Sequence, residues 1–164
     1  MKRTYAWVAA VAGLSMAASS PGAGAGTEEA STLSYVRLYT DASGMSHFAD
    51  EHLVLTPIPA AAGGAAGPED LLSMHRLGDL KGVMFAQLKA GASEDWHVAP
   101  RRQFMVCLRG LVEITASDGE KRSMKPGQFM LLEDLSGRGH RTHAAGAEDH
   151  VALALPVPEG IPAR

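Results

Sequence analysis

A single all-β domain is the fold class that the sequence predicts, and three observations carry it. Short runs rich in β-branched and aromatic residues recur along residues 33–155, turns containing Gly, Asp and Pro separate them, and helical periodicity is almost absent. A chain of 164 residues is also long enough to bury one core without cross-links.

Taken in order, residues 33–39 (LSYVRLY) read as the first strand, closed by the turn-prone Asp41-Ala42-Ser43-Gly44. Residues 45–48 and 52–55 read as two further short strands. Residues 57–68 (PIPAAAGGAAGP) are expected to be a loop inside the domain, since the strands before it are too few to stand alone. Residues 69–77 carry Leu71, Leu72 and His75 at helical spacing and are expected to make one or two helical turns. Strands follow at 83–88, 104–108, 111–115 and 129–132, spaced as an antiparallel sandwich or barrel spaces them. Arg109-Gly110, Ser117-Asp118-Gly119-Glu120 and Pro126-Gly127 punctuate them as turns. The last strand is expected at 151–155, ended by Pro156-Val157-Pro158, because proline cannot donate to a ladder.

The first 25 residues read as an address. Lys2 and Arg3 start it, an apolar stretch covers 5–18, and Ala23-Gly24-Ala25 has the small-x-small pattern of a signal-peptide cleavage site. The apolar stretch falls short of the ~20 residues that span a bilayer, so export to the periplasm or beyond is expected, with no membrane attachment after cleavage. The chain then divides into the signal peptide (1–25), N-terminal strands and an Ala/Gly/Pro-rich loop packing on the barrel (26–82), a core barrel (83–155) and a C-terminal tail (156–164).

Composition excludes several function classes. Cys107 is the only cysteine, so an intramolecular disulfide, a cysteine-based zinc cluster and lipidation near the cleavage point all fall away, and the thiol is expected to be inert in its apolar strand. Fifteen Lys and Arg stand against 18 Asp and Glu with no basic block, which leaves no nucleic-acid footprint.

If residues 97–107 run as one extended strand, His97, Ala99, Arg101, Gln103, Met105 and Cys107 share a face, and Val98, Arg102, Phe104, Val106 and Leu108 share the other. Both faces of the second half are apolar. The outer one therefore needs a cover, either the N-terminal segment or a second copy of the chain as a homodimer.

These residues carry a family resemblance. Gly91-x5-His97-x-Ala99-x3-Gln103-x6-Gly110 has the spacing of the first cupin motif, where glycine, two histidines, a glutamate and a glycine stand. Pro126-Gly127, an apolar strand and His140 resemble the second motif, with a slightly longer interval. The chain resembles small single-domain bacterial cupins carrying the segments seen here at 96–103 (WHVAPRRQ) and 133–140 (EDLSGRGH). The resemblance covers about 83–155 and implies a cupin-type double-stranded β-helix, a jelly-roll barrel, with a pocket around His97, Gln103 and His140.

The departures bear on chemistry. Metal-binding cupins are similar to one another in using three histidines and one carboxylate; here Ala99 replaces the second histidine and Gln103 the glutamate. An amide oxygen is a weak donor to iron or manganese and a methyl is none. A metal held by His97, His140 and Gln103 would need recruits from His47, His143, Glu94 or Asp95. His143 stands an odd number of residues from His140, so on a straight strand it faces away. Arg101 shares the face of His97 by parity and would clamp a carboxylate or phosphate in two-point fashion, or else pair with Glu94, Asp95, Glu133 or Asp134. Trp96 either walls the pocket or belongs to the core. Three functions follow as expectations: binding of a small, acidic molecule in the barrel; an iron- or manganese-dependent oxygenase or isomerase with a reduced ligand set; and a structural or interaction protein acting through its outer face.

Overall fold

The structure, a computed structural model, describes residues 31–57, 73–74, 80 and 82–160. Eleven strands are found among them and no helix. They are β1 (Ser31–Thr40), β2 (Ser46–Pro57), β3 (Ser73–Met74), β4 (Met84–Leu88), β5 (Ser93–His97), β6 (Gln103–Arg109), β7 (Val112–Ala116), β8 (Lys121–Met124), β9 (Phe129–Glu133), β10 (His140–Ala144) and β11 (His150–Pro156). One sheet runs β3-β2-β1-β9-β6-β11-β4 and the other β5-β10-β7-β8. The chain crosses repeatedly from one sheet to the other, so residues adjacent in sequence end on opposite walls.

Alternation places the core. In the larger sheet Met105, Cys107, Met130, Leu132, Leu38 and Phe48 face inward, and they meet Val112, Ile114, Ala116 and Met124 of the smaller sheet in one cluster. The opposite face of the larger sheet carries a second cluster of Tyr35, Leu53, Phe104, Leu131 and Val157, with Leu80, Phe129 and Leu155 packed on it. Val157 reaches it because the chain turns back beyond β11, its N–H bonding the Arg102 carbonyl at 3.1 Å. At the far edge β4 leaves Phe85 exposed.

Several expectations change. Residues 45–48 and 52–55 belong to one strand, β2, because its pairing with β1 runs in unbroken register from Ser31↔Leu55 to Thr40↔Ser46 and carries the charged Asp50 and Glu51 along. Backbone hydrogen bonds, not side-chain polarity, hold that stretch extended. Ser31–Pro57 joins the larger sheet itself, with β1 parallel to β9. Of the helical turns expected at 69–77, Ser73–Met74 is extended and pairs with Thr56 and Pro57; the rest lies outside the described residues. So do the address at 1–25 and most of the Ala/Gly/Pro-rich loop. The single strand expected at 97–107 is two strands in different sheets, β5 and β6, joined by residues 98–102.

One end of the barrel is fastened by polar contacts. His47 bonds Asp118 at 2.7 Å through Nδ1 and Asp41 at 3.0 Å through Nε2, tying the β1–β2 turn to the β7–β8 turn. Ser46 Oγ donates to the Gly139 carbonyl at 2.6 Å, which carries the fastening to the segment that precedes His140. The Asp41 bond raises the His47 pKa above its ordinary 6.5; slight burial opposes this and Asp118 adds to it. A group whose folded pKa is raised stabilises fully below its unfolded value and loses that contribution as pH climbs through the folded one. The stability difference between wild type and His47→Gln is therefore expected to be largest on the acid side of neutrality and to shrink above it, as read from Tm across a pH series.

Candidate functional site

Two short polar strands bring the histidines together. β5 and β10 are antiparallel neighbours with His97 opposite His140, and the two ring centroids lie 4.4 Å apart. The next pair is Thr142 with Glu94, so three steps on β5 match two on β10, which is a β-bulge. Simple alternation from His97 would turn Asp95 inward and Glu94 outward. The bulge reverses this: Glu94 lines the cavity, while Asp95 bonds Arg141 outside at 3.3 Å.

Each imidazole is held through Nδ1. His97 Nδ1–H donates to the Asp95 carbonyl at 2.7 Å, and His140 Nδ1–H donates to Asp134 Oδ2 at 2.6 Å. In the neutral ring that choice leaves the lone pair on Nε2 of both residues. Asp134 is 0% exposed and its Oδ1 has no hydrogen-bond partner among the described residues; the same holds of Gln103 Oε1, on a side chain 6% exposed. Buried polar atoms left without partners are rare and mark either strain or a function.

These groups edge a cavity of about 420 Å³, within the range that takes a small organic molecule. Gln87, Glu94, His97, Gln103, His140, Thr142 and His150 give it a polar lining, and the apolar wall includes Met105, Met124, Met130, Ile114 and Leu132. Ala86 also lines it, on the β4 edge of the larger sheet.

The other residues singled out in the sequence fall elsewhere. Arg101 is exposed in the 98–102 connection and is absent from the cavity lining, because the strand whose parity would have aimed it inward ends at His97. Its neighbour Arg102 bonds Glu133 at 2.5 Å and the Pro158 carbonyl at 2.6 Å. Ala99 is buried in the core cluster and is absent from the cavity lining. Trp96 lies on the outer side of β5 with the Arg138 guanidinium 4.4 Å and the Arg141 guanidinium 5.8 Å from its ring centroid. His143 bonds Ser93 Oγ at 2.9 Å, and His47 belongs to the fastening described above; neither lines the cavity.

Two residues of the site escaped sequence reasoning. Asp134 was visible in the segment 133–140 and as a candidate ion-pair partner of Arg101, but not as the partner of His140. His150 opens β11 one residue before the expected start of that strand, and it shares the inward parity of the small residues Ala152 and Ala154. It is a third imidazole in the cavity wall, and burial pushes its pKa down, against a bond to the Arg109 backbone that raises it. It also gives Cys107 a basic neighbour at 3.7 Å that strand parity had not offered. Burial pushes the Cys107 thiol up in pKa all the same, which keeps it protonated and unreactive.

Among the described residues no group of three or more His, Cys, Asp or Glu side chains stands close enough together to hold a metal ion. His97, His140, His150 and Glu94 line the cavity, His47 and His143 do not, and Ala99 and Gln103 stand at the other two motif positions.

No family model and no curated protein matches this chain. Solved structures do. A double-stranded β-helix protein from Klebsiella pneumoniae is 21% identical, with 46% of this chain and 65% of that one covered and a TM-score of 0.39. A cupin 2 conserved barrel protein from Salinispora arenicola is 19% identical over 48% of this chain and 63% of that one, at a TM-score of 0.39. A protein described as a sugar phosphate isomerase from a cupin superfamily, from Silicibacter pomeroyi, is 17% identical over 71% of this chain and 60% of that one, at 0.40. The chain thus spans less than two thirds of these proteins' lengths. The fold is all-β, a seven-stranded sheet packed on a four-stranded one. In this barrel the paired histidines come from β5 and β10 of the smaller sheet and Gln103 from the start of β6 in the larger one, so the site spans both walls.

Proposed function

We propose that this cupin barrel binds a small organic molecule, its apolar body against Met105, Met124, Met130 and Leu132 and its one polar group against His97 and His140. The observation that supports this most directly is the pair of Nδ1-tethered imidazoles in a cavity whose remaining wall is largely apolar, with Gln87, Glu94, Gln103, Thr142 and His150 its other polar members. The ligand is uncharged as it enters rather than a carboxylate or phosphate. Among the described residues no Lys or Arg lines the cavity and Glu94 is its acidic member, so a permanent anion would lose its hydration without meeting a fixed counter-charge there. The address at 1–25 supports a site of action outside the cytoplasm.

A thermal-shift screen of uncharged aromatic and aliphatic compounds against matched carboxylates tests the reading. Uncharged compounds are expected to raise Tm, by about 2.7 kcal/mol of stabilisation at a hundredfold excess over Kd. The effect should vanish in His97→Ala/His140→Ala, and protection by carboxylates alone would overturn the reading. Metal analysis of protein purified without an affinity tag addresses the enzyme alternative: stoichiometric iron or manganese, lost in His97→Ala, would favour a metal-dependent oxygenase or isomerase.

A further inference from the structure

A strand at the edge of a sheet leaves a row of backbone N–H and C=O groups open to a further strand, and natural edges blunt this with charge, proline or brevity. Among the described residues the two sheets end on β3, β4, β5 and β8. β5 (SEDWH) carries Glu94 and Asp95, and β8 (KRSM) carries Lys121 and Arg122. β3 is two residues long, and β2 beside it carries Asp50 and Glu51. β4 (MFAQL) has none of these protections. Val83 just before it is 54% exposed, Met84 40% and Phe85 76%.

The apolar character continues over the outer face of the larger sheet. Ala86 stands opposite the buried Ala152, so Phe85 turns outward, opposite Leu153, which in turn stands opposite Val106 of β6. Val83, Met84 and Phe85 with this row present an apolar patch of roughly several hundred Å², and the backbone of the edge brings it toward the ~800 Å² per partner of a standard interface.

We infer that β4 pairs with β4 of a second copy of this chain, antiparallel across a two-fold axis, so that the two larger sheets run on into one another. Antiparallel pairing suits this symmetry, because the open N–H and C=O pattern of an edge strand complements its own pattern after a two-fold rotation. Residues 82–88 hold no charged side chain, so two copies meet there without like charges facing, and Lys89 beyond them is paired with Asp149 at 2.9 Å. The rest of the chain is a poorer mate. Of the stretches after the address that lie outside the described residues, the longest is 58–72 (IPAAAGGAAGPEDLL), composed mostly of Ala, Gly and Pro, which are depleted from strands; the others have five residues or fewer. The pairing also bears on the cavity. Neighbouring residues of a strand point to opposite faces, yet Ala86, Gln87 and Leu88 all border it. The cavity therefore reaches the free edge of β4, and the second copy lies against that side of it.

Sedimentation of the full-length protein without any ligand tests this independently of the cavity reading. At micromolar concentration wild type is expected to have twice the mass of one chain. Phe85→Lys places a charge on the edge at a side chain exposed enough for the single chain to tolerate it, and should halve that mass. Leu33→Lys, the same kind of change at an exposed leucine of β1, should leave the mass doubled. Circular dichroism confirms that both variants are folded, and hydrogen exchange at 83–88 should quicken in Phe85→Lys alone. A wild type with the mass of one chain would overturn the inference, and slow exchange at 83–88 in such a monomer would assign the edge to a segment of the same chain. A doubled mass that persists in Phe85→Lys would place the contact elsewhere and overturn it as well.

Discussion

Gly139→Ala is expected to lower stability by more than about 3 kcal/mol and to abolish ligand binding in whatever fraction still folds. Gly139 has φ +73°, a left-handed conformation that side chains resist, and a Cβ placed there would lie 1.9 Å from the His97 carbonyl oxygen and 2.7 Å from the Val98 nitrogen. Both are backbone atoms, so no rotamer change relieves the overlap; the β5 and β10 ends must part. Those ends carry His97 and His140, whose rings are 4.4 Å apart because of this close approach. Chemical denaturation gives the stability loss. Thermal shift with any compound that protects the wild type gives the loss of binding. Gly119→Ala serves as a comparison, since it has a positive φ but open space around the added methyl, and it should cost no more than the strain of about 1–3 kcal/mol.

Glu133→Ala is expected to cost about 3–5 kcal/mol, the range for removing one partner of a buried ionic group. Glu133 bonds Arg37 through one carboxylate oxygen and Arg102 through the other, with all three side chains largely shielded from water. Its removal leaves two guanidiniums short of their counter-charge inside the β1–β9 seam and the 98–102 connection. Burial raises the Glu133 pKa, and the bonds from Arg37 and Arg102 outweigh it and bring the folded value below the ordinary 4.5. A carboxyl with a depressed folded pKa stabilises above its unfolded value and loses that contribution as pH falls through the folded one. Wild type should therefore weaken on acidification below about pH 4.5, and Glu133→Ala should weaken less steeply there. Equal slopes for both proteins in urea melts across that window would show that Glu133 carries no such linkage.

The strands most legible in the sequence were those with an apolar side to bury. β1, β4, β6, β7, β9 and β11 were all anticipated to within about two residues at each end, as expected where period-two alternation is strong. β5 (SEDWH) and β10 (HRTHA) gave no such signal, for each is short and polar with little apolar face. They are the strands that hold the two histidines, so the least legible part of the fold was the part closest to the site. The bulge that turns Glu94 inward left no mark either, because a one-residue slip is a property of two strands paired together. Arg101 was misplaced for a related reason: parity was carried across residues 98–102, where the chain leaves one sheet for the other and alternation has no meaning.

By itself the sequence determined that the chain is all-β and that it is turned by Gly110, Gly119 and Gly127, while its resemblance to cupins pointed to His97, Gln103 and His140 as pocket residues. Those properties are local, set by side-chain alternation, backbone freedom at glycine and the fixed spacing of a motif. Only the tertiary structure decided that Asp134 stands behind His140, that His150 joins the cavity wall and that, among the described residues, no guanidinium lines the cavity. Those facts depend on which strands become neighbours after the chain has crossed between sheets, and hydrogen bonding between distant backbones, rather than any local preference, makes that choice.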